Sequence, residues 1–241
     1  MSGDPALPSA AGRYGETVAV DDFMTWSEWA LARVGFRPSN GLPVVAVCRD
    51  ELMAGFVQAV TSAWGRPFEA GSLAGLVFLG RTGMQAALGH VPGEDGRHRF
   101  VVFCFPHIGV DDDGTIGRVQ RRGMYRASSA CGALASFRAQ LLAGEHQVGV
   151  DPDDVEQSLL RRRLLEAIDT DANPSLPELT ELARRASVDD IARFIDLARG
   201  AEPVDVAFVS GVVVHLPDGV DHVADVRADV VIDGSTVTLP H

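Results

Sequence analysis

The chain is 241 residues long, with 46% hydrophobic and 22% charged residues, which is enough apolar material for a sizeable core and excludes a disordered chain. Its 21 basic residues against 33 acidic ones leave a formal net charge of −12, which repels phosphate backbones and anionic lipid headgroups and so excludes nucleic acid and membrane surfaces as expected partners. Every basic residue is an arginine, which rules out Schiff-base and P-loop lysine chemistry, and the three cysteines, Cys48, Cys104 and Cys131, are too few and too scattered for a disulfide framework.

The opening sequence MSGDPALPSAAGRYGE has no basic stretch followed by an apolar run, so no secretory signal is expected. No apolar stretch nears the ~18 residues of a membrane span, and the expected location is cytoplasmic. Residues 1–20, rich in Gly, Pro, Ala and Ser, read as a loose arm. Asp21-Asp22 then opens a helical pattern with Phe23, Trp26, Trp29, Ala30 and Val34 on one stripe. PVVAVC (43–48) is a continuous β-branched run, the mark of a strand buried on both faces, and it leads into a helical pattern over 50–64. LAGLVFLG (73–80) and RFVVFCF (99–105) repeat the buried-strand pattern around an expected helix at 82–90.

Residues 117–143 read as helical, interrupted at Gly123 and Gly132, and 152–200 as helical and strongly charged, with N-terminal caps at Ser175/Glu178 and Ser187/Asp190. VDVAFVSGVVVHL (204–216), VADVRADVVID (223–233) and STVTL (235–239) read as strands, the last two joined by an Asp233-Gly234 hairpin. The alternation predicts an α/β fold with a largely parallel central sheet flanked by helices: an N-terminal arm and helix over 1–40, then a single domain over 41–241 ending in strands.

Chemistry concentrates where strands end. Cys48 closes a buried strand, and Asp50 opens the helix that follows, where a helix N-terminus favours anions and a lowered thiol pKa. His107 stands after RFVVFCFP, so two neighbouring strands would bring Cys48 and His107 to one rim of the sheet, the edge at which open α/β sheets gather their ligands. Cys131 lies in the small-residue run ASSACGALAS, and Cys104 competes with it as a second thiol, although its odd spacing from His107 along a strand points it to the opposite face. Cys48, His107 and Cys131 together make a Cys2His set, which zinc accepts with a fourth position left for water. The same residues also allow a metal-free reading, with Cys48 as a nucleophile and His107 as its base.

The segments CRDE (48–51), LAGLVFLGRTGMQAALGHVP (73–92), FPHIGV (105–110), SACGAL (129–134), DPDDVEQSLLRRRL (151–164) and FVSGVVVH (208–215) resemble, in order, the limiting-CO2-inducible protein B/C family, a divergent group of β-type carbonic anhydrases. The resemblance implies a β-carbonic-anhydrase-like fold, a homodimer, zinc held by Cys48, His107 and Cys131, and reversible hydration of CO2 to bicarbonate by a zinc-bound hydroxide. It also implies that Asp50 belongs to an Asp–Arg pair in which the arginine keeps the aspartate off the metal. The common β-type pattern puts serine and arginine directly after that aspartate, whereas here Glu51 and Leu52 follow it. The expected partner is therefore Arg81 in the Gly-Arg-Thr-Gly turn, with Arg49 and Arg66 behind it. An aspartate lacking its arginine would close the metal, and the alternative expectation is a catalytically silent zinc protein serving as a bicarbonate sensor or assembly partner.

Overall fold

The computed structural model describes residue 14 and residues 17–93, 96–121, 123–169 and 172–240. Strand β1 (Val18–Ala19) runs straight into helix α1 (Val20–Ala32), and β2 (Leu42–Val47) is followed by a single 3-10 turn (Glu51–Met53) and α2 (Ala54–Trp64). Next come β3 (Phe68–Glu69), α3 (Gly80–Leu88), β4 (His98–Phe105) and β5 (His107–Gly109). A small hairpin of β6 (Arg118–Val119) and β7 (Ser128–Ser129) precedes α4 (Gly132–Leu142), α5 (Val155–Leu165) and α6 (Leu176–Arg199). The chain ends in β8 (Val204–His215), β9 (Asp221–Ile232) and β10 (Ser235–Leu239).

The main sheet has the order β1-β9-β8-β4-β2-β3, with β5 also on β8 and β10 also on β9. Strands β3, β2, β4, β5 and β8 are parallel, whereas β9 is antiparallel to β8, and β1 and β10 are antiparallel to β9. The C-terminal strands therefore extend the central sheet, which is mixed. Alternate residues of the buried strands feed two cores. Val45, Val47, Phe103 and Phe105 pack under α1, α2 and α4, while Val44, Ala46, Val102 and Cys104 pack on the other face with α3 and the end of α6.

Several expectations are corrected. Of the arm expected over 1–20, residues 1–13, 15 and 16 lie outside the described residues, but Val18–Ala19 pairs with Val223 and His222 at the sheet edge. Trp29 leaves the apolar stripe of α1 and stands exposed with Arg33 stacked 4.8 Å from its ring. The run 73–80 is buried only over residues 74–77 and is not a strand, because Ala74 (φ 56) and Gly75 (φ 77) are left-handed and turn the chain through a 3-10 helix at Leu73–Gly75. A continuous apolar run reports burial without reporting period. The helix expected from 117 begins only at Gly132, since Gly117 (φ 88), Gly123 (φ 81) and Cys131 (φ 55) are all non-helical. Ser175 and Glu178 form the expected capping box, but Ser187 lies inside the unbroken α6, where its hydroxyl donates to Gly75 O at 2.8 Å and Ala183 O at 2.9 Å.

One close approach ties this turn to the rim of the sheet. A Cβ on Gly71 would lie 2.2 Å from Val47 O and 2.5 Å from Val47 N, against backbone that cannot give way. Gly71→Ala is expected to cost about 2–3 kcal/mol of folding stability, a fall of roughly 5–10 °C in Tm, measured by thermal and chemical denaturation. A wild-type Tm would show that the β2 rim yields.

Candidate metal centre

Strands β2 and β4 end level with one another, Val47 opposite Phe105, so the residues that follow them emerge at one rim. Cys48 follows β2 directly. Pro106 follows β4 and has no N–H to donate, but its carbonyl accepts from Val213 N at 2.9 Å, so the register on β8 is kept and His107 stands opposite Val213 as the first residue of β5. Cys131 arrives from a third direction, as the N-cap of α4 in the left-handed conformation (φ 55, ψ 72). That backbone costs a non-glycine residue about 1–2 kcal/mol. All three residues are buried, and their ligand atoms lie within 4.8 Å of one another.

These residues fit a metal ion. An ion the size of Zn2+ in a tetrahedral site spaces its sulfur and nitrogen ligands roughly 3.5–3.8 Å apart, so the set is already gathered to near that spacing. Nε2 of His107 is buried and has no hydrogen-bond partner, an arrangement that costs a polar atom about 1–3 kcal/mol unless something fills it. The other ring nitrogen, Nδ1, is 2.9 Å from Nε2 of His215, whose own Nδ1 is 2.7 Å from Asp221 Oδ1. Cys48 Sγ accepts a hydrogen bond from Ala74 N at 3.2 Å, which explains why the left-handed turn at 74 sits against this rim. Cys104 faces the opposite core and takes no part, and burial pushes its thiol up to about 12.

Without a metal, Cys48 and Cys131 share a proton. The Cys48 thiol is lowered from 9.0 to about 4, chiefly by the hydrogen bond from Cys131, which outweighs the opposing effect of burial. Cys131 is pushed well above 9.0, because it gives its hydrogen bond to Cys48 and is itself buried. Ultraviolet titration at 240 nm of the metal-free protein is therefore expected to find one thiolate per chain at pH 7. The folded pKa of Cys48 lies below its unfolded value, so its contribution to stability is complete above pH 9 and is lost as the pH falls towards 4. Acidification through that window should lower the denaturation midpoint of the metal-free protein, and a fully protonated set of thiols at pH 7 would contradict the geometry.

Asp50 stands beside the three. Its Oδ2 is 3.8 Å from His107 Nε2, and its Oδ1 accepts from Leu52 N at 3.2 Å, capping the short turn. The arginine on Asp50 is not Arg81 but Arg121, from the connection between β6 and β7. Its Nη2 donates to Asp50 Oδ1 at 3.1 Å and Oδ2 at 3.0 Å, its Nε to Glu51 Oε1 at 2.7 Å, and its Nη1 to Ser129 O at 3.0 Å and Ser128 Oγ at 2.5 Å. Burial works against the charge of this guanidinium, but the hydrogen bond to Glu51 and the charge of Asp50 raise its pKa above the ordinary value. Arg81 stands exposed on α3 and Arg66 exposed after α2, while Arg49 pairs with Glu156 at 2.9 Å. Nothing local marks Arg121, which lies 71 residues beyond Asp50 in sequence. Glu51, at the position where the usual β-type pattern has serine, holds this same arginine. A cavity of about 490 Å3, lined by Val47, Cys48, Asp50, Glu51, Met53 and Gly71 among others, opens onto this rim.

Reading the sequence also missed His215 and Asp221. The signal was present for His215, a lone polar residue closing the apolar run VVVH at the end of a buried strand, as His107 is placed after β4. Among the described residues, no helix is long and apolar enough to cross a membrane.

A family model described as limiting CO2-inducible proteins B/C, β-carbonic anhydrases, matches residues 17–232. Among solved structures, the limiting CO2-inducible protein LCIB is 29% identical over 97% of this chain and 99% of its own, with a TM-score of 0.75. PtLCIB4, a homolog of LCIB, is 23% identical over 97% of this chain and 99% of its own, with a TM-score of 0.80, a likeness that speaks for the fold. No curated protein sequence matches the chain. The match over residues 17–232 shows that the chain belongs to the limiting CO2-inducible protein B/C family, a β-carbonic-anhydrase-like group.

Proposed function

We propose that the protein is a zinc carbonic anhydrase that interconverts CO2 and bicarbonate, with zinc held by Cys48, His107 and Cys131. The observation that carries this reading is the buried Cys-His-Cys set beside an aspartate that an arginine already holds. Two thiolates and an imidazole suit zinc better than they suit the oxygen-seeking divalent cations. When bound there, zinc would lower the pKa of a water towards ~7 and so supply a nucleophile at neutral pH.

The protein's own residues do the rest. Asp50, with both oxygens on Arg121 Nη2, would accept a hydrogen bond from such a water and so orient it towards the cavity. Arg121 is fixed in turn by Glu51, Ser128 and Ser129, so the carboxylate is restrained from swinging towards His107 Nε2, 3.8 Å away. Val47 and Met53 give the cavity an apolar wall beside Cys48, suited to CO2 rather than to water. The alternative of a catalytically silent zinc protein needs an aspartate free to close the metal, and the Arg121 clamp argues against it.

Exchange of 18O between labelled CO2 and water, followed by mass spectrometry, tests the reading. Zinc-loaded protein is expected to deplete the label well above the buffer rate, and metal-stripped protein to match the buffer. Equal rates for the two would overturn it.

A further inference from the structure

We propose that His215 and Asp221 are positioning residues for the metal centre: they fix His107 as the Nδ1–H tautomer, so that Nε2 presents its lone pair to Cys48 and Cys131. The proposal rests on the reading of these three residues as ligands, but it concerns two residues on the far side of the imidazole.

The proton arrangement follows from the carboxylate end. His215 and Asp221 are cross-strand partners, the last residue of β8 and the first of β9, and 2.7 Å separates His215 Nδ1 from Asp221 Oδ1. An ionised carboxylate can only accept, so His215 carries its proton on Nδ1. With that one proton on Nδ1, His215 presents a bare Nε2 that accepts from His107 Nδ1 at 2.9 Å. His107, protonated on Nδ1, is left with its lone pair on Nε2. That atom is the buried one without a hydrogen-bond partner, and it lies on the Asp50 side of the ring.

Placement supports the direction of the chain. His107 is fully buried and His215 nearly so, while the Asp221 side chain keeps 28% of its exposure, so the carboxylate retains contact with water. Its Oδ2 is 3.4 Å from the point where a Cβ on Gly55 would lie, over the first turn of the 11-residue α2, where a negative charge is favoured. The two imidazoles stand edge to face, 5.1 Å between centroids at 78°, so a flip of His215 breaks both hydrogen bonds and a flip of His107 breaks the one between the rings. A ligand histidine held through its second nitrogen is oriented before the ion arrives, and removing such a partner typically lowers metal affinity about 10- to 100-fold.

Two readouts test the proposal. In metal-free protein carrying 15N-labelled histidine at pH 9, two-bond 1H–15N correlation spectra are expected to show His107 protonated on Nδ1 and bare on Nε2; the opposite tautomer overturns the proposal. In chelator competition for Zn2+, His215→Phe and Asp221→Asn are expected to weaken binding at least 10-fold. His215→Gln, whose amide oxygen reaches the place of Nε2, is expected to return the affinity to within a few-fold of wild type. Wild-type affinity in both His215→Phe and Asp221→Asn would also overturn it. A wild-type protein that shows the Nδ1–H tautomer yet binds no Zn2+ would support the positioning pair and refute the zinc reading.

Discussion

Replacing Cys48 or Cys131 with serine is expected to remove stoichiometric zinc, and CO2 hydration with it, whereas Cys104→Ser retains both. A serine hydroxyl does not ionise at neutral pH, so each site variant loses a charged ligand from a set of three. Structural zinc sites gain about 10–16 kcal/mol in total, so one ligand accounts for roughly 3–4 kcal/mol, or about 100- to 1000-fold in affinity. Cys104 supplies the internal control, because it packs in the opposite core with Val102 and Ala46, and its thiol is held in the protonated form by burial. Metal content after gel filtration, together with chelator competition, reads the result. Zinc retained by Cys131→Ser and lost by Cys104→Ser would mean that the ligands were misassigned. The metal-free alternative, a Cys48 nucleophile with His107 as base, predicts instead that Cys131→Ser leaves a reactive Cys48.

Arg121→Ala is expected to lower CO2 hydration about 10- to 100-fold at full zinc occupancy. Arg121 Nη2 donates to both oxygens of Asp50, one bifurcated charge-assisted contact worth about 1.5–3 kcal/mol, and each 1.36 kcal/mol is tenfold in rate. The Asp50 side chain keeps only 11% of its exposure, so without Arg121 it lacks both a partner and full hydration. The nearest relief is the metal itself, because Oδ2 is 3.8 Å from His107 Nε2. Affinity for zinc should therefore hold or rise while turnover collapses, a split that loss of folding would not produce. Arg121→Lys is not expected to rescue, since one ammonium cannot reach Asp50, Glu51, Ser128 and Ser129 together. A fully active Arg121→Ala protein would remove the arginine from the mechanism.

The architecture was legible where burial and period agree. PVVAVC and RFVVFCF are apolar on both faces because helices cover both sides of a parallel sheet, and the polar residues that end such runs mark its rim. That logic reached Cys48, Asp50 and His107, while Cys131 stood as a candidate thiol in its small-residue run, and the fold brings it within 4.8 Å of Cys48 and His107. It failed where a contact is made by geometry alone. LAGLVFLG is as apolar as a strand but turns at Ala74 and Gly75, because its task is to press a backbone N–H on Cys48 Sγ. Arg121 lies in a short hairpin with no hydrophobic period, and no local pattern distinguishes it from Arg81, Arg49 or Arg66. Glu51 looked like a departure from the β-type pattern, yet it holds the arginine that the departure seemed to lack. His215 and Asp221 become partners only when β8 and β9 pair, which is a matter of register rather than of either segment alone.

Titration of Zn2+ into metal-free protein, with CO2 hydration followed by stopped flow at each addition, tests the zinc-dependent activity most directly. The hydration rate is expected to rise linearly and level off at one zinc per chain, well above the buffer rate between pH 7 and 9. Zinc bound at one per chain with no rate above buffer anywhere in that range would contradict it and leave a silent zinc protein of the same fold.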